Sequence, residues 1–125
     1  MKLNSKSINF SVDTVASLTS LAGVNGDICI LTDKDRGGTF IYDSTAVDNQ
    51  GTVFGHWRRE YDGAVNVKWF GAKGDGTTDD TIAIQSSINS GDSVYVPNGT
   101  YLVSSEISID SLMFLFVGPF AGFNS

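Results

Sequence analysis

The sequence predicts a mainly β chain with two short helices: a small N-terminal helix and β-hairpin module, then a second helix at the entrance of a parallel β-solenoid. Three observations carry that prediction. Residues 65–85 combine a strand, a glycine-punctuated acidic turn and a helix start, an order that few folds use. Residues 93–117 read as a succession of short strands, and residues 27–61 read as hairpins joined by polar, glycine-rich turns.

Taken in order, Asp13 is placed to cap a first helix in which Val15, Leu18 and Leu21 follow a three-residue step, ending at Gly23. Strands follow at roughly 27–31, 39–43, 52–54 and 56–61, with Asp33-Lys34-Asp35-Arg36-Gly37-Gly38 as a polar turn. A boundary near Tyr61-Asp62-Gly63 divides the chain into domains 1–63 and 64–125. In the second, Val65 and Val67 alternate with polar neighbours as a half-buried strand requires, and Gly71, Gly74 and Gly76 supply the positive-φ positions of a tight turn. Thr78 then suits an N-cap, Asp79 and Asp80 set two carboxylates against the positive helix end, and Ile84 and Ile88 share one face. Asn89-Ser90-Gly91 is the stop. Ser93 to Val103 reads as two strands around Pro97-Asn98-Gly99, and Ile107 and Ile109 alternate in a further strand. Met113 to Val117 is a continuous apolar run suited to a strand buried on both faces, bounded by Gly118-Pro119.

With these residues in view, "WFGAKGDGTTDDTIAIQSSI" followed by "VYVPNGTYLVSSEISI" resembles the start of the right-handed parallel β-helix in the pectate-lyase-like superfamily. That superfamily includes pectin-degrading enzymes of plants and bacteria and the tailspikes and capsule depolymerases of bacteriophages. The resemblance implies that the helix after "GAKGDG" caps the open lower end of the solenoid, and that "VPNGTYLV" begins the first coils. The upstream pieces Thr14 to Leu21, Gly37 to Asp43, Asp48 to Phe54 and Trp57 to Gly63 are similar, in their order, to the small module that precedes the β-helix in phage tailspikes.

Composition excludes several classes. The single cysteine, Cys29, rules out an intramolecular disulfide framework and a multi-cysteine metal site, and its apolar neighbours make it a small buried hydrophobe. All eight Lys and Arg lie at or before Lys73, whereas residues 74–125 carry six acids and no base, the source of the net charge of −6. Nucleic-acid binding needs a basic stripe, and only the isolated pair Arg58-Arg59 is present. The N-terminus, Met1 to Phe10, has no apolar signal-peptide core, and no run approaches a bilayer span, so neither export nor membrane insertion is expected.

Several residues have the chemical type, though not the full pattern, of a functional site. Asp33-x-Asp35 opens like a calcium loop but lacks the later ligands and the closing Glu, which makes it a solvated turn. Asp75, Asp79 and Asp80 invite the two-carboxylate mechanism of glycoside hydrolysis, yet capping and turn hydrogen bonds account for all three. In the resembling family the catalytic acids sit on later coils. Gly71-x-x-Gly74-x-Gly76 has the wrong spacing for a dinucleotide or phosphate loop. His56 stands without a nucleophile in a recognisable context and reads as a strand residue. Trp57, Trp69, Tyr42, Tyr61, Tyr95 and Tyr101 are the aromatics on which a sugar ring would stack, though strand positions favour core roles. The expectation is therefore no catalytic, cofactor or metal residue in this chain, and no assignable ligand residue.

A solenoid coil depends on stacked neighbours to cover its apolar faces. The late cluster Phe114, Phe116, Phe120 and Phe123 leads to three readings: a fragment of a longer tailspike, a short protein covered by partners, or an end that folds differently. The first is preferred. The resemblance then implies a structural N-terminal portion of a phage tailspike or tail fibre, made in the host cytoplasm and located in the virion tail. It would trimerise, contact other tail or baseplate proteins, and reach bacterial surface polysaccharide through a missing C-terminal body. The alternatives are a truncated pectate-lyase-like or polygalacturonase-like enzyme and a stand-alone carbohydrate-binding module.

Overall fold

A computed structural model of the chain describes residues 10–91, 93–109, 115–117 and 122–124. It divides into two compact units, Met1–Tyr61 and Asp62–Ser125, and is mainly β with two α-helices.

The first unit holds β1 (Phe10–Val12), α1 (Val15–Ser20), β2 (Ile28–Leu31), β3 (Gly38–Tyr42), β4 (Val53–Phe54) and β5 (Trp57–Arg59) in one sheet of strand order β1-β2-β3-β5-β4. β1 runs parallel to β2 and the remaining pairs are antiparallel, so β2–β3 and β4–β5 are the hairpins that the turn residues predict. Period-two alternation sets what is buried. Cys29, Leu31, Phe40, Phe54 and Trp57 point inward and meet Leu18 from α1. Trp57 takes Tyr42 edge-on at 5.1 Å and Phe10 at 6.0 Å. Gly23 must lack a side chain because a Cβ there would lie 2.8 Å from both Trp57 and Tyr42.

Two details differ from the sequence reading. The cap of α1 is Thr14 rather than Asp13, since Thr14 has the extended backbone of an N-cap and its Oγ1 accepts from the Ser17 N–H. His56 lies with Gly55 in the β4–β5 turn, ahead of the strand; Gly55 takes a positive φ of 64° there.

The second unit contains β6 (Val65–Asn66), a 3-10 helix (Val67–Phe70), β7 (Asp75–Asp79), α2 (Thr81–Ser90), β8 (Ser93–Tyr95), β9 (Thr100–Leu102), β10 (Leu115–Val117) and β11 (Gly122–Asn124). Successive strands alternate between two three-stranded sheets of order β10-β8-β6 and β11-β9-β7, and every pairing is parallel. Val94 pairs with Phe116 and Tyr101 with Phe123, a step of 22 residues in both sheets (94 to 116, 101 to 123). The core combines Val65, Val67, Phe70, Ala72, Ile84, Ile88, Val94, Val96 and Tyr101.

Here three expectations change. Val67 is buried but helical, because the Asn66 side chain accepts from the Lys68 N–H and turns the chain out of β6. The helix starts at Thr81 instead of after Thr78, because β7 continues to Asp79 with a register shift between Asp75 and Asp79. Residues 103–109 form no strand: the Gln85 amide accepts from the Ser108 N–H and donates to the Ser108 carbonyl, taking the groups a ladder would use. Of the late apolar run, Leu115–Val117 is a strand, while Met113, Phe114 and Phe120 lie outside the described residues.

Candidate functional site

The carboxylates of the acidic turn are the densest polar feature of the second unit, and each has a defined task. Asp75 Oδ1 accepts from the Thr77 and Thr78 N–H groups at 3.0 and 2.8 Å, and Oδ2 accepts from the Thr78 hydroxyl at 2.9 Å. These bonds favour the charged form and hold the Asp75 carboxyl below the usual carboxylate range. They also fix the irregularity in β7, which is why Thr78 is unavailable as a helix cap.

Asp79 performs the capping from one position further out. Its Oδ1 accepts from the Thr81 N–H at 3.0 Å and the Thr81 hydroxyl at 2.6 Å, and its Oδ2 accepts from the Ser104 hydroxyl at 2.5 Å. Led by the Ser104 and Thr81 hydroxyls, this set lowers the Asp79 pKa to about 2. Asp80 occupies the N-cap of α2 without a capping side chain. Its carboxylate turns inward, is 1% exposed, and accepts from the Lys73 and Gly74 N–H groups at 2.9 and 3.0 Å. Gly74, at φ 63°, lies so close to the Tyr101 ring that a Cβ would stand 2.7 Å from it.

The hydrogen bonds of this arrangement are those of a turn and a helix cap. General-acid catalysis needs a carboxyl raised toward neutrality, whereas Asp75 and Asp79 are shifted the other way and Asp80 is enclosed by backbone donors. The three acids join β7, α2 and the segment after β9, as turn and cap groups should.

Elsewhere, Asp33 Oδ1 accepts from the Asp35 and Arg36 N–H groups, forming the polar turn between β2 and β3. Among the described residues, no group of three or more His, Cys, Asp or Glu is placed to hold a metal ion. Cys29 is fully buried and its thiol pKa is pushed up by that burial. His56 Nδ1 lies 2.9 Å from the Ala46 carbonyl oxygen, which makes Nδ1 the protonated nitrogen of the neutral ring. Trp57 and Tyr101 are fully buried and cannot stack on a sugar; Trp57 donates to the Leu21 carbonyl and Tyr101 to that of Pro97. Tyr42, Trp69 and Tyr95 are half-buried, and Tyr61 is 45% exposed.

Arg59 was missed as a structural centre. It is 3% exposed, donates to the carbonyls of Gly51, Gly37 and Arg36 at 3.0, 2.7 and 2.9 Å, and covers the Phe40 ring at 4.7 Å. Burial, followed by the nearby Arg36 charge, lowers its pKa to about 10. The available signal was strand alternation: Trp57 inward, Arg58 outward, Arg59 inward.

Known proteins show the same two-part likeness. Residues 64–118 match the family model described as rhamnogalacturonase A/epimerase, pectate lyase-like. The pre-neck appendage protein of Bacillus phage phi29 is 55% identical over 47 residues, which is 38% of this chain and 6% of that protein. Among solved structures, full-length tailspike protein 2 of Escherichia coli O157:H7 bacteriophage CAB120 superimposes with a TM-score of 0.72 at 32% identity, covering 86% of this chain and 16% of the tailspike. Pantoea stewartii WceF, described as a glycan biofilm modifying enzyme with a bacteriophage tailspike-like parallel β-helix fold, gives 0.63 at 28% identity over 77% of this chain and 18% of the enzyme. The chain thus spans a small fraction of each of these proteins. In its pectate-lyase-like sequence over residues 64–118 and in its fold, it is a phage tailspike-like protein.

Proposed function

We propose that the chain is the structural N-terminal portion of a phage tailspike or tail fibre. Domain 64–125 starts a right-handed parallel β-helix with α2 as its cap, and domain 1–63 joins that body to the virion tail. The observation that supports this reading is that the parallel pairings β8–β10 and β9–β11 share one step of 22 residues (94 to 116, 101 to 123), as strands stacked coil on coil would. Three copies assemble, other tail or baseplate proteins are the neighbours, and further coils engage a bacterial surface polysaccharide. Antibodies against residues 1–61 are expected to decorate tails in electron micrographs of virions carrying the protein; unlabelled tails would reject the placement. Light scattering on the purified chain should give a trimer, and a monomer at micromolar concentration removes that part.

A second reading, part of a bacterial polysaccharide-degrading enzyme, is favoured by the likeness to WceF and by the rhamnogalacturonase/epimerase family model. Both readings place catalytic groups outside this chain. Incubating it with pectate, alginate and capsular polysaccharide should release no product, and turnover would overturn both.

A further inference from the structure

The chain carries two Asn-Gly pairs, Asn25-Gly26 and Asn98-Gly99, the dipeptide most prone to spontaneous deamidation because glycine leaves the following backbone nitrogen sterically open. The two pairs sit in opposite environments. Asn25 accepts from the Ser44 N–H through Oδ1 at 2.7 Å, and the Gly26 N–H donates to the Tyr42 carbonyl at 3.1 Å. Both the electrophilic amide and the attacking nitrogen are therefore held. Asn98 is exposed at the turn between β8 and β9, and neither its side chain nor the Gly99 N–H has a hydrogen bond among the described residues.

We infer that Asn98 is a deamidation and isoaspartate site, and that the fold protects Asn25 from the same reaction. The Gly99 nitrogen loses its proton and attacks the Asn98 side-chain carbonyl carbon; the new C–N bond closes a succinimide as the C–Nδ2 bond breaks and ammonia leaves. Water then opens either ring carbonyl, giving aspartate or isoaspartate at position 98. Aspartate adds a charge to the acidic half of the chain. Isoaspartate also lengthens the main chain by one methylene inside a turn clamped by Tyr101 to the Pro97 carbonyl and by the Thr100 N–H to the Gly74 carbonyl. The modification is a slow chemical clock on the β8–β9 turn, and replacement of Gly99 is barred there, because a Cβ would stand 2.8 Å from the Gly74 carbonyl oxygen.

The test is to age the full chain at mildly alkaline pH and map peptides 13–26 and 92–109, released by cleavage before aspartate, by mass spectrometry. Conversion at Asn98 should run at least about tenfold faster than at Asn25, since a local opening free energy of only about 1.4 kcal/mol at Asn25 gives that ratio. In denaturant the two rates should converge. Newly formed aspartate at 98 adds a cleavage point within peptide 92–109, whereas isoaspartate leaves that peptide whole. Equal rates in the folded chain, faster loss at Asn25, or an unaltered Asn98 would each overturn the inference.

Discussion

Arg59 shows how much a single inward position can organise. Its guanidinium satisfies three carbonyls that belong to two different loops, those of Arg36 and Gly37 and that of Gly51. Replacing it with Met keeps bulk but leaves those acceptors without the fork, so Arg59→Met should destabilise the chain by about 3 kcal/mol in urea unfolding. Arg59→Lys should recover only part, because an ammonium cannot reproduce the planar donor set. Gly74 and Gly71 form a matched pair: both have positive φ, but a Cβ meets the Tyr101 ring only at Gly74. Both Ala variants lose about 1 kcal/mol to backbone strain, and Gly74→Ala should lose markedly more in the same denaturation assay. Acid sensitivity follows from the turn carboxylates. Asp79 has a folded pKa of about 2 against an ordinary value of 3.8, so its stabilisation is present above 3.8 and disappears as the pH falls toward 2. Asp75 acts in the same direction. Asp79→Asn should flatten the acid limb of a circular-dichroism titration, and an unchanged limb would assign acid unfolding to other groups.

At the scale of elements, the helix caps separate what local pattern specifies from what neighbours decide. Thr14→Ala should cost about 1 kcal/mol, the value of a lost N-cap, whereas Asp13→Ala should be nearly neutral in the same thermal melts. The stop of α2 at Gly91, the positive-φ glycines and the hairpin turns were legible in the sequence because each depends on residues a few positions apart. The duties of Thr78, Asp79 and Asp80 were not. All three were visible as turn and cap residues, but which did what depends on Ser104 and on the Lys73 and Gly74 N–H groups. The Ile107 strand failed for a similar reason, since the Gln85 side chain competes for the Ser108 backbone from 23 residues away. β1 escaped notice because its three residues have meaning only through parallel pairing with β2.

Across the whole molecule, charge and topology act on different halves of the problem. Residues 62–125 contain seven acids and two bases, so self-repulsion is concentrated there. Raising sodium chloride toward 1 M, where the screening length falls to about 3 Å, should raise the thermal midpoint, and a variant with Asp62 and Glu106 neutralised should respond less. The mainly β class with two helices was readable from strand period, turn residues and helix-start residues. Which strands would be partners was not, because parallel pairing joins positions more than twenty residues apart and leaves no local mark.

The same ladders carry a consequence for how such a chain can change. Val65 meets its partner Val94 across 29 residues (65 to 94) that include α2, yet Val94 meets Phe116 across only 22 (94 to 116), and both pairings are parallel. Register is therefore decoupled from the length of the connection. New loops can be added at the corners between strands while the sheets keep their order, which lets such a chain vary its surface and leave its scaffold unaltered.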